Sequence, residues 1–517
     1  MTPKKILENT FTVGSLTALS RVLGLVREML QSRIVGAGVA QSAFTLAFAI
    51  PNMARKLFGE GALTAAFVPV FRRVVENEGR EKAHLLARTV MTGALLVLAA
   101  VSLLSVAGIA AVLSFAGRFA FSGRTCLTLS LVAILAPYMF AICGAAFGMG
   151  VLNSVGRFKA AGFTPSLLNI VWIAALAVLF AFPSMSPGDK AVAVAWAILA
   201  GGFVQFAFLA WRMSKAGFAP VPRFAGRREE SVRLVWRNTW IAAAGTGAVQ
   251  LNYMLDQVLA QAASPWAAGV IGYAERLMDL PLGIIGVAFG TVLLPAFSSC
   301  FAKKDFDGAR KAMVSSLSSL LFVMIPASAG LALLSRETVG AIYEGGEFDA
   351  VATVRVSRAL AVYSFGLCLY SFHKVLIPWF QAQNDMKTPV RTTVATVVLN
   401  ASLNILAVVL LPEEWRHVGL AFSTVVCAAV ACVVLAACAR RKNGSLGLAA
   451  VWRLALKQAL AAAAMCVVLI LVRPCIASLS VSSGAISRSA TLLLLVISGV
   501  AVYLAVAFVL RAIPRLR

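Results

Sequence analysis

Charge is scarce in this chain, and acid most of all. Of 517 residues only 21 are Asp or Glu, against 46 Lys and Arg, and charged residues together make up 13%. Soluble domains carry about 25%, so this shortage argues against a soluble enzyme. Histidine is rarer still: His84, His373 and His417 are too few and too scattered for a metal centre. The nine cysteines show no CxxC and no Cys/His metal spacing. They sit in apolar runs and read as small core hydrophobes, without a disulfide framework. There is no Walker A string, which argues against ATP chemistry within the chain. Nothing in the first thirty residues resembles a cleaved signal peptide, because Arg21 and Arg27 interrupt the apolar run after Lys4 and Lys5. What is abundant is apolar: 60% of residues are hydrophobic and the mean hydropathy is +0.88. This is the composition of a polytopic membrane protein.

A spanning helix needs about 20 mostly apolar residues. That ruler predicts an all-α protein of about fourteen spans, near 11–35, 41–71, 89–115, 126–152, 161–182, 191–211, 238–262, 269–299, 313–334, 359–383, 392–411, 418–438, 454–472 and 489–510. No soluble domain fits between them. With the N-terminus cytoplasmic, thirty Lys and Arg fall in inside segments, nine in outside loops and seven within spans. This bias predicts both termini inside. It also accounts for most of the net +25 without nucleic acid, the basic loops lying against anionic phospholipid headgroups.

The chain repeats itself. Leu152-Asn153-Ser154-Val155-Gly156-Arg157-Phe158-Lys159 leads to Thr164-Pro165, and Ala382-Gln383-Asn384-Asp385-Met386-Lys387 leads to Thr388-Pro389. The proline offset is 224; Arg55 to Arg276 gives 221, and Pro69 to Pro295 gives 226. A period near 220 with six spans per unit predicts two parallel six-helix repeats, related by an axis along the membrane normal, plus two C-terminal helices. The expected lobes are 1–215 and 216–442, with 443–517 outside the repeat. Paired halves around a midplane site suggest alternating access; shared hairpin packing without transport is the plainer reading.

A charge inside the bilayer is costly and usually serves function. The span-embedded charges are Arg21, Arg27, Glu28, Arg33, Arg55, Lys56, Glu60, Asp256, Glu275, Arg276, Asp279 and Lys374. They concentrate in spans 1, 2 and 8, which predicts that these helices face a common cavity. Lys56 and Glu60, and likewise Glu275 and Asp279, are four apart and share a face, while Arg27 points about 100° away from Glu28. Arg276 can reach Asp279 at three residues, but Arg27, Arg55 and Arg276 have less obvious local carboxylates than the other cations. Arginines that converge suit a phosphate or diphosphate, which they grip with paired N–H donors. The competing reading is structural bridges to Glu60, Glu275 and Asp279, or snorkelling, above all for Arg21 and Arg33. Pro51, Gly59 and Gly61 in span 2 match Pro281, Gly283, Gly286 and Gly290 in span 8, as bending helices or as tight packing. Asp256, with Asn252 one turn before it, together with Asn400, Asn404, Ser423 and Thr424, could hold Na⁺; Asp256 could instead carry a proton, or stand as a hydrogen-bonded structural acid.

Ser20-Arg21-Val22-Leu23-Gly24-Leu25-Val26-Arg27-Glu28, Gly36-Ala37-Gly38, Pro51-Asn52 with Arg55, and Gly59-Glu60-Gly61-Ala62 through Phe67-Val68-Pro69 resemble the start of the MurJ (MviN) lipid II flippases. Tyr273-Ala274-Glu275-Arg276-Leu277-Met278, Pro281-Leu282-Gly283 and Lys387-Thr388-Pro389 resemble the same family further on. The resemblance covers nearly the whole chain. It implies a fold of the multidrug/oligosaccharidyl-lipid/polysaccharide (MOP) exporter superfamily. It implies, too, transport of undecaprenyl-diphosphate-linked peptidoglycan precursor from the inner to the outer leaflet of the bacterial inner membrane, with cell-wall synthesis proteins as candidate partners. The family's cavity arginines fall at Arg21, Arg27, Arg55 and Arg276, and its acidic partners at Glu28, Glu60, Glu275 and Asp279. Spans 13 and 14 would form a lipid-tail groove. The family often has an acid where this chain has Gln41-Ser42-Ala43-Phe44, and some members have one where it has Asn404. The resemblance therefore leaves Na⁺, a proton and the membrane potential all open as the driving force. An exporter of another lipid-linked glycan or of a drug is the alternative, though a cationic drug would want acidic walls. A membrane enzyme on polyprenyl diphosphates would want a DDxxD-type cluster, which is missing. No catalytic residue, metal ligand or bound cofactor is expected.

Overall fold

The structure is a computed structural model that describes residues 3–59, 61–114, 122–226, 228–479 and 485–514. Among the described residues there are seventeen α-helices, one π-helical turn and no strand. In hydrocarbon a backbone must satisfy its own N–H and C=O groups, which a helix does within one segment. The helices are α1 (Pro3–Val35), α2 (Val39–Ala54), α3 (Ala62–Asn77), α4 (Arg80–Ser114), α5 (Gly123–Leu135), α6 (Tyr138–Ser154), α7 (Phe158–Phe180), α8 (Pro187–Ser214) and α9 (Glu230–Ala263). Then follow α10 (Ala267–Ala302), α11 (Phe306–Leu333), α12 (Ser335–Ile342), α13 (Ala350–Gln381), α14 (Lys387–Leu410), α15 (Glu413–Asn443), α16 (Leu448–Leu479) and α17 (Ala485–Val509). Every span expected from the sequence coincides with a helix or, for spans 2 and 4, with a broken pair. Among the described residues, ten helical segments are long and apolar enough to cross a bilayer. Most of the charges that the sequence places within spans fall on α1, the α2–α3 stretch and α10.

Helix ends follow from local chemistry. The Ser122 and Ser186 hydroxyls accept from the N–H groups of Thr125 and Asp189, at 3.3 and 3.2 Å. The Asp305 and Asp349 carboxylates do the same for Gly308 and Ala352, at 2.8 and 2.7 Å. These groups satisfy donors that the first helical turn leaves open.

The chain forms two compact units: Met1–Gln261 with Gly346–Phe348, and Ala262–Gly345 with Asp349–Arg517. In the first, span 4 (α5–α6) packs on spans 2, 3 and 6 (α2, α4, α8), and α7 packs on α8. In the second, α13 packs on α10, α11 and α15, and α14 packs on α15. The same partners recur in the same order, as the repeat requires. The repeat extends to the turn between spans. Gly156 (φ 78°) and Asn384 (φ 57°) both take the left-handed conformation. Arg157 N–H bonds the Leu152 carbonyl at 2.8 Å, and Asp385 N–H bonds that of Phe380 at 3.0 Å. Both are six-to-one bonds of a Schellman close, where Gly or Asn fits the left-handed residue. One detail differs from expectation. Thr388-Pro389 opens α14, but α7 begins at Phe158 and carries Pro165 inside it.

Span 2 does not run through. Pro51 removes a helix hydrogen bond, the backbone widens into a π-helical turn at Arg55–Gly59, and α3 restarts at Ala62. A Cβ on Gly59 would lie 2.8 Å from that of Ala146 on α6, and one on Gly61 would lie 2.1 Å from the Lys56 carbonyl oxygen. Both positions therefore require glycine. Among the described residues no cysteine is in a disulfide.

Candidate functional site

In the first unit the arginines are held, each differently. Arg27 lies on the face of α1 that packs against α7. One guanidinium nitrogen donates to Asn169 Oδ1 at 2.9 Å and the other pairs with Glu28. The guanidinium carbon stands 4.3 Å over the Trp172 ring. The side chains of Arg27 and Glu28 are only 15% and 9% exposed, so the pair is largely out of water. The cage continues: Asn169 donates to the Ser20 carbonyl at 3.1 Å, Trp172 Nε1 to Gln31 Oε1 at 3.1 Å, and Gln31 to Gln41 Oε1 at 3.1 Å. Three helices thus fix the orientation of one guanidinium. The carboxylate partner of Arg27, not obvious from helical spacing, is thus its neighbour Glu28. Adjacent residues diverge by 100° at Cβ, but their long side chains bend far enough to meet.

Arg55 stands on the π-helical turn, half-buried, with Nε and Nη2 donating to Asn52 Oδ1 at 3.2 and 2.9 Å. The expected Lys56–Glu60 pair cannot be placed, since Glu60 lies outside the described residues. Lys56 Nζ sits 5.0 Å over the Tyr253 ring. Arg21 is exposed and lines a cleft of about 330 Å³ with Thr17, Asn153 and Pro165.

The second unit carries Glu275, Arg276 and Asp279 on α10. Glu275 is half-buried and accepts from the Tyr363 hydroxyl at 3.3 Å; Arg276 beside it is half-buried, and Asp279 is exposed. Lys374 on α13 donates to the Leu282 carbonyl at 3.3 Å. In the same unit an apolar cavity of about 450 Å³ is lined by Pro281, Phe322, Met465, Leu469, Leu495 and Tyr503, so α16 and α17 form one wall of it.

The oxygen-rich residues divide between the units. Asp256 accepts from Asn252 at 3.2 Å on α9, in the first. Asn400, Asn404 and Ser423 are buried in the second and bonded to one another: Asn404 to Asn400 Oδ1 at 3.1 Å, Asn400 to Ser423 Oγ at 3.5 Å, and Ser423 to Asn404 Oδ1. Thr424 donates to its own helix at Leu420, 3.1 Å away. These bonds join α14 to α15 as polar glue between apolar helices. Ser42 donates to Gln261 Oε1 at 2.7 Å.

Asn169 and Trp172 were not legible as site residues. Their signal is a polar residue in the otherwise apolar α7 with an indole one turn later, at i and i+3. Lys190, expected in an outside loop, is instead a buried residue of α8, 4% exposed.

Comparison with known proteins agrees with this layout. Residues 31–487 match the family model described as lipid II flippase MurJ. The chain is 33% identical over 416 residues to a probable lipid II flippase MurJ of Rhizobium tropici, covering 79% of this chain and 77% of that one. It is 31% identical over 417 residues to the lipid II flippase MurJ of Burkholderia cenocepacia, covering 80% and 79%. A solved lipid II flippase MurJ in an inward closed conformation shares the fold, with TM-score 0.77 at 22% identity over 97% of this chain and 99% of that one. An inward-facing MATE family transporter of the MOP superfamily gives 0.66 at 15% identity, over 84% and 98%. The chain is a multi-pass membrane protein and belongs to the MurJ family.

Proposed function

We propose that this chain flips lipid II, the undecaprenyl-diphosphate-linked peptidoglycan precursor, from the inner to the outer leaflet of the bacterial inner membrane by alternating access. It acts as a transporter, with both termini cytoplasmic. The family match over residues 31–487 carries the reading. The concentration of intramembrane charge on spans 1, 2 and 8 supports it, because a diphosphate needs a wet, cationic path and its C55 tail does not. Arg27, Arg55 and Arg276 are the residues that grip the diphosphate, with Arg21 nearer the cytoplasmic mouth. Glu28, Glu60, Glu275 and Asp279 keep the cations compensated when no substrate is bound. A guanidinium already oriented by Asn169 and Trp172 loses little freedom on taking up a phosphate, which favours binding. The tail runs in the apolar cavity walled by α16 and α17.

The driving force is assigned to the membrane potential. An anion leaving a negative interior gains about 2.3 kcal/mol per charge per 100 mV. Asp256, Asn400, Asn404 and Thr424 all have hydrogen-bond partners of their own, which disfavours a Na⁺ or proton site there.

The test is leaflet-resolved lipid II accessibility to an external hydrolase, in cells depleted of their own flippase and supplied with this chain. The native chain restores the outward pool, and Arg27→Ala does not. An outward pool that never returns, with the protein in the membrane, overturns the reading. Clamping the potential to zero with valinomycin and K⁺ slows the native chain; an unchanged rate removes the potential as the driving force.

A further inference from the structure

Residues Gly346–Phe348 belong to the first unit, although Gly345 before them and Asp349 after them belong to the second. What holds them is unusually close. Glu347 N–H donates to the Arg33 carbonyl at 2.9 Å. Gly36 (φ +79°) comes so near that a Cβ there would lie 2.6 Å from the Glu347 carbonyl oxygen. Gly346 (φ +56°) would meet the Arg33 carbonyl oxygen at 2.2 Å. Both positions admit only glycine, in space and in backbone conformation. Alongside, Lys190 on α8 is 4% exposed, and its ammonium donates to Glu347 Oε1 at 3.0 Å and to the Pro183 carbonyl at 3.4 Å. A buried ammonium needs a counter-charge, and here the inserted segment supplies it. Phe348 is 1% exposed.

We propose that Gly346–Phe348 is a releasable latch, seated on α1 and α8 in one state of the transport cycle and withdrawn in the other. The proposal rests on the alternating-access reading above. The segment is tied to the second unit by very little chain: residues 343–345 reach back to α12, and Asp349 alone precedes α13. Each residue spans at most about 3.6 Å, so the links hold little slack. If the second unit shifts by more than about two residue lengths, it must draw the segment out. The attachment suits release as well as hold. Its named polar contacts are one backbone bond and one ion pair, and the Glu347 carboxylate, 38% exposed, is within reach of water that can take over from Lys190 on withdrawal.

The test links positions 190 and 347. Lys190→Cys/Glu347→Cys is placed in the full chain in flippase-depleted cells and treated from outside with a reducible thiosulfonate cross-linker; the single variants control for the native cysteines. The uncross-linked double variant restores the outward lipid II pool, because the backbone bond and both glycines remain. Cross-linking lowers the transport rate more than tenfold, and reductant restores it. Native transport by the cross-linked chain overturns the latch and leaves a fixed strut. A second measurement needs no substrate: the rate at which a membrane-impermeant maleimide labels Lys190→Cys in purified protein. Gly346→Ala, which blocks seating, raises that rate more than tenfold; an unchanged rate overturns the latch independently. If neither the native chain nor the variants restore the pool, the flippase reading falls, and the labelling result decides the latch alone.

Discussion

In the first unit the span that carries Arg55 breaks into α2, a π-helical turn and α3; in the second the span that carries Arg276 runs unbroken from Ala267 to Ala302. Both contain prolines, so proline alone does not decide the matter. Its order relative to the arginine differs. Arg55 follows Pro51 by four residues and lands on the widened turn, whereas Arg276 precedes Pro281 by five and sits in regular helix. The break also has a partner to close on, since Gly59 lets the turn lie against Ala146. The pattern is that a duplicated helix pair keeps its packing partners while its functional side chain is re-aimed by one local widening. The first unit thus holds its cations on specific geometry, Arg27 in a cage and Arg55 on a turn. The second offers Arg276 from an ordinary helix face.

The largest expected effect falls on the caged arginine. Arg27→Ala removes the guanidinium and strands Glu28, which is 9% exposed; hydrogen bonds to charged groups are worth about 1.5–3 kcal/mol each, so flipping falls at least about a hundredfold. The sharper variant is Arg27→Lys, which keeps the charge but cannot serve Asn169, Glu28 and the Trp172 face together. A loss of about tenfold is expected, against about threefold or less for Arg276→Lys, both read as external lipid II cleavage rates. The reverse order would make the second unit the rigid one.

The next effect addresses the break itself. Pro51→Ala restores a backbone donor and allows the π-helical turn to tighten, which rotates Arg55 off its present heading. We expect flipping to fall about tenfold while the melting temperature holds or rises, because a proline inside a helix costs about 3 kcal/mol. Pro281→Ala in the unbroken α10 changes flipping less than about twofold. Equal losses at the two prolines would mean that both helices bend during transport, and the contrast would vanish.

Much of this was open to reading in the sequence. Twenty-residue apolar runs leave few alternatives to helices. The thrift with which charge is spread made α1, the α2–α3 stretch and α10 stand apart before any contact was known. The turn at Gly156 and Asn384 was legible because a left-handed residue tolerates few types. The cage around Arg27 was not, since Asn169 is 142 residues away and a single Asn in an apolar helix is ordinary glue. The π-helical turn was hidden because Pro and Gly accompany both arginines. Lys190 was misplaced because charge marks a loop only when no distant residue neutralises it, and its partner Glu347 is 157 residues on.

Smaller effects test whether polar groups in the second unit serve packing alone. Asn404→Leu leaves Asn400 and Ser423 short of partners and costs about 1 kcal/mol, in the range found for polar contacts between membrane helices. Flipping stays near native, and replacing Na⁺ by choline changes neither the native nor the variant melting temperature. A Na⁺-dependent melting temperature that the substitution abolishes would turn this glue into a cation site.

The smallest effect lies at the turn that mirrors Gly156. Asp385 accepts from Thr388 N–H at 3.1 Å and from the Thr388 hydroxyl at 2.7 Å, and it pairs with Lys442 from the end of α15. The hydrogen bond from Lys442 is the main cause that pulls its carboxyl down to about 2, with Thr388 assisting. A carboxylate whose folded pKa is depressed stabilises above its ordinary range near 4 and loses that contribution as pH falls toward 2. From pH 5 to 8 it is constant, so this turn gives flipping no pH dependence there. Asp385→Asn keeps an acceptor for Thr388 and loses the ion pair, at a cost of about 0.5 kcal/mol, because exposed pairs are worth little. Asp385→Ala loses both and costs about 1 kcal/mol, the usual value of a helix-start acceptor. At the matching turn, Gly156→Asn is tolerated, since Asn384 shows that asparagine takes the same left-handed conformation. Gly156→Val has no such licence and should cost more than either change at Asp385, which is measurable as a lower melting temperature of the detergent-solubilised chain.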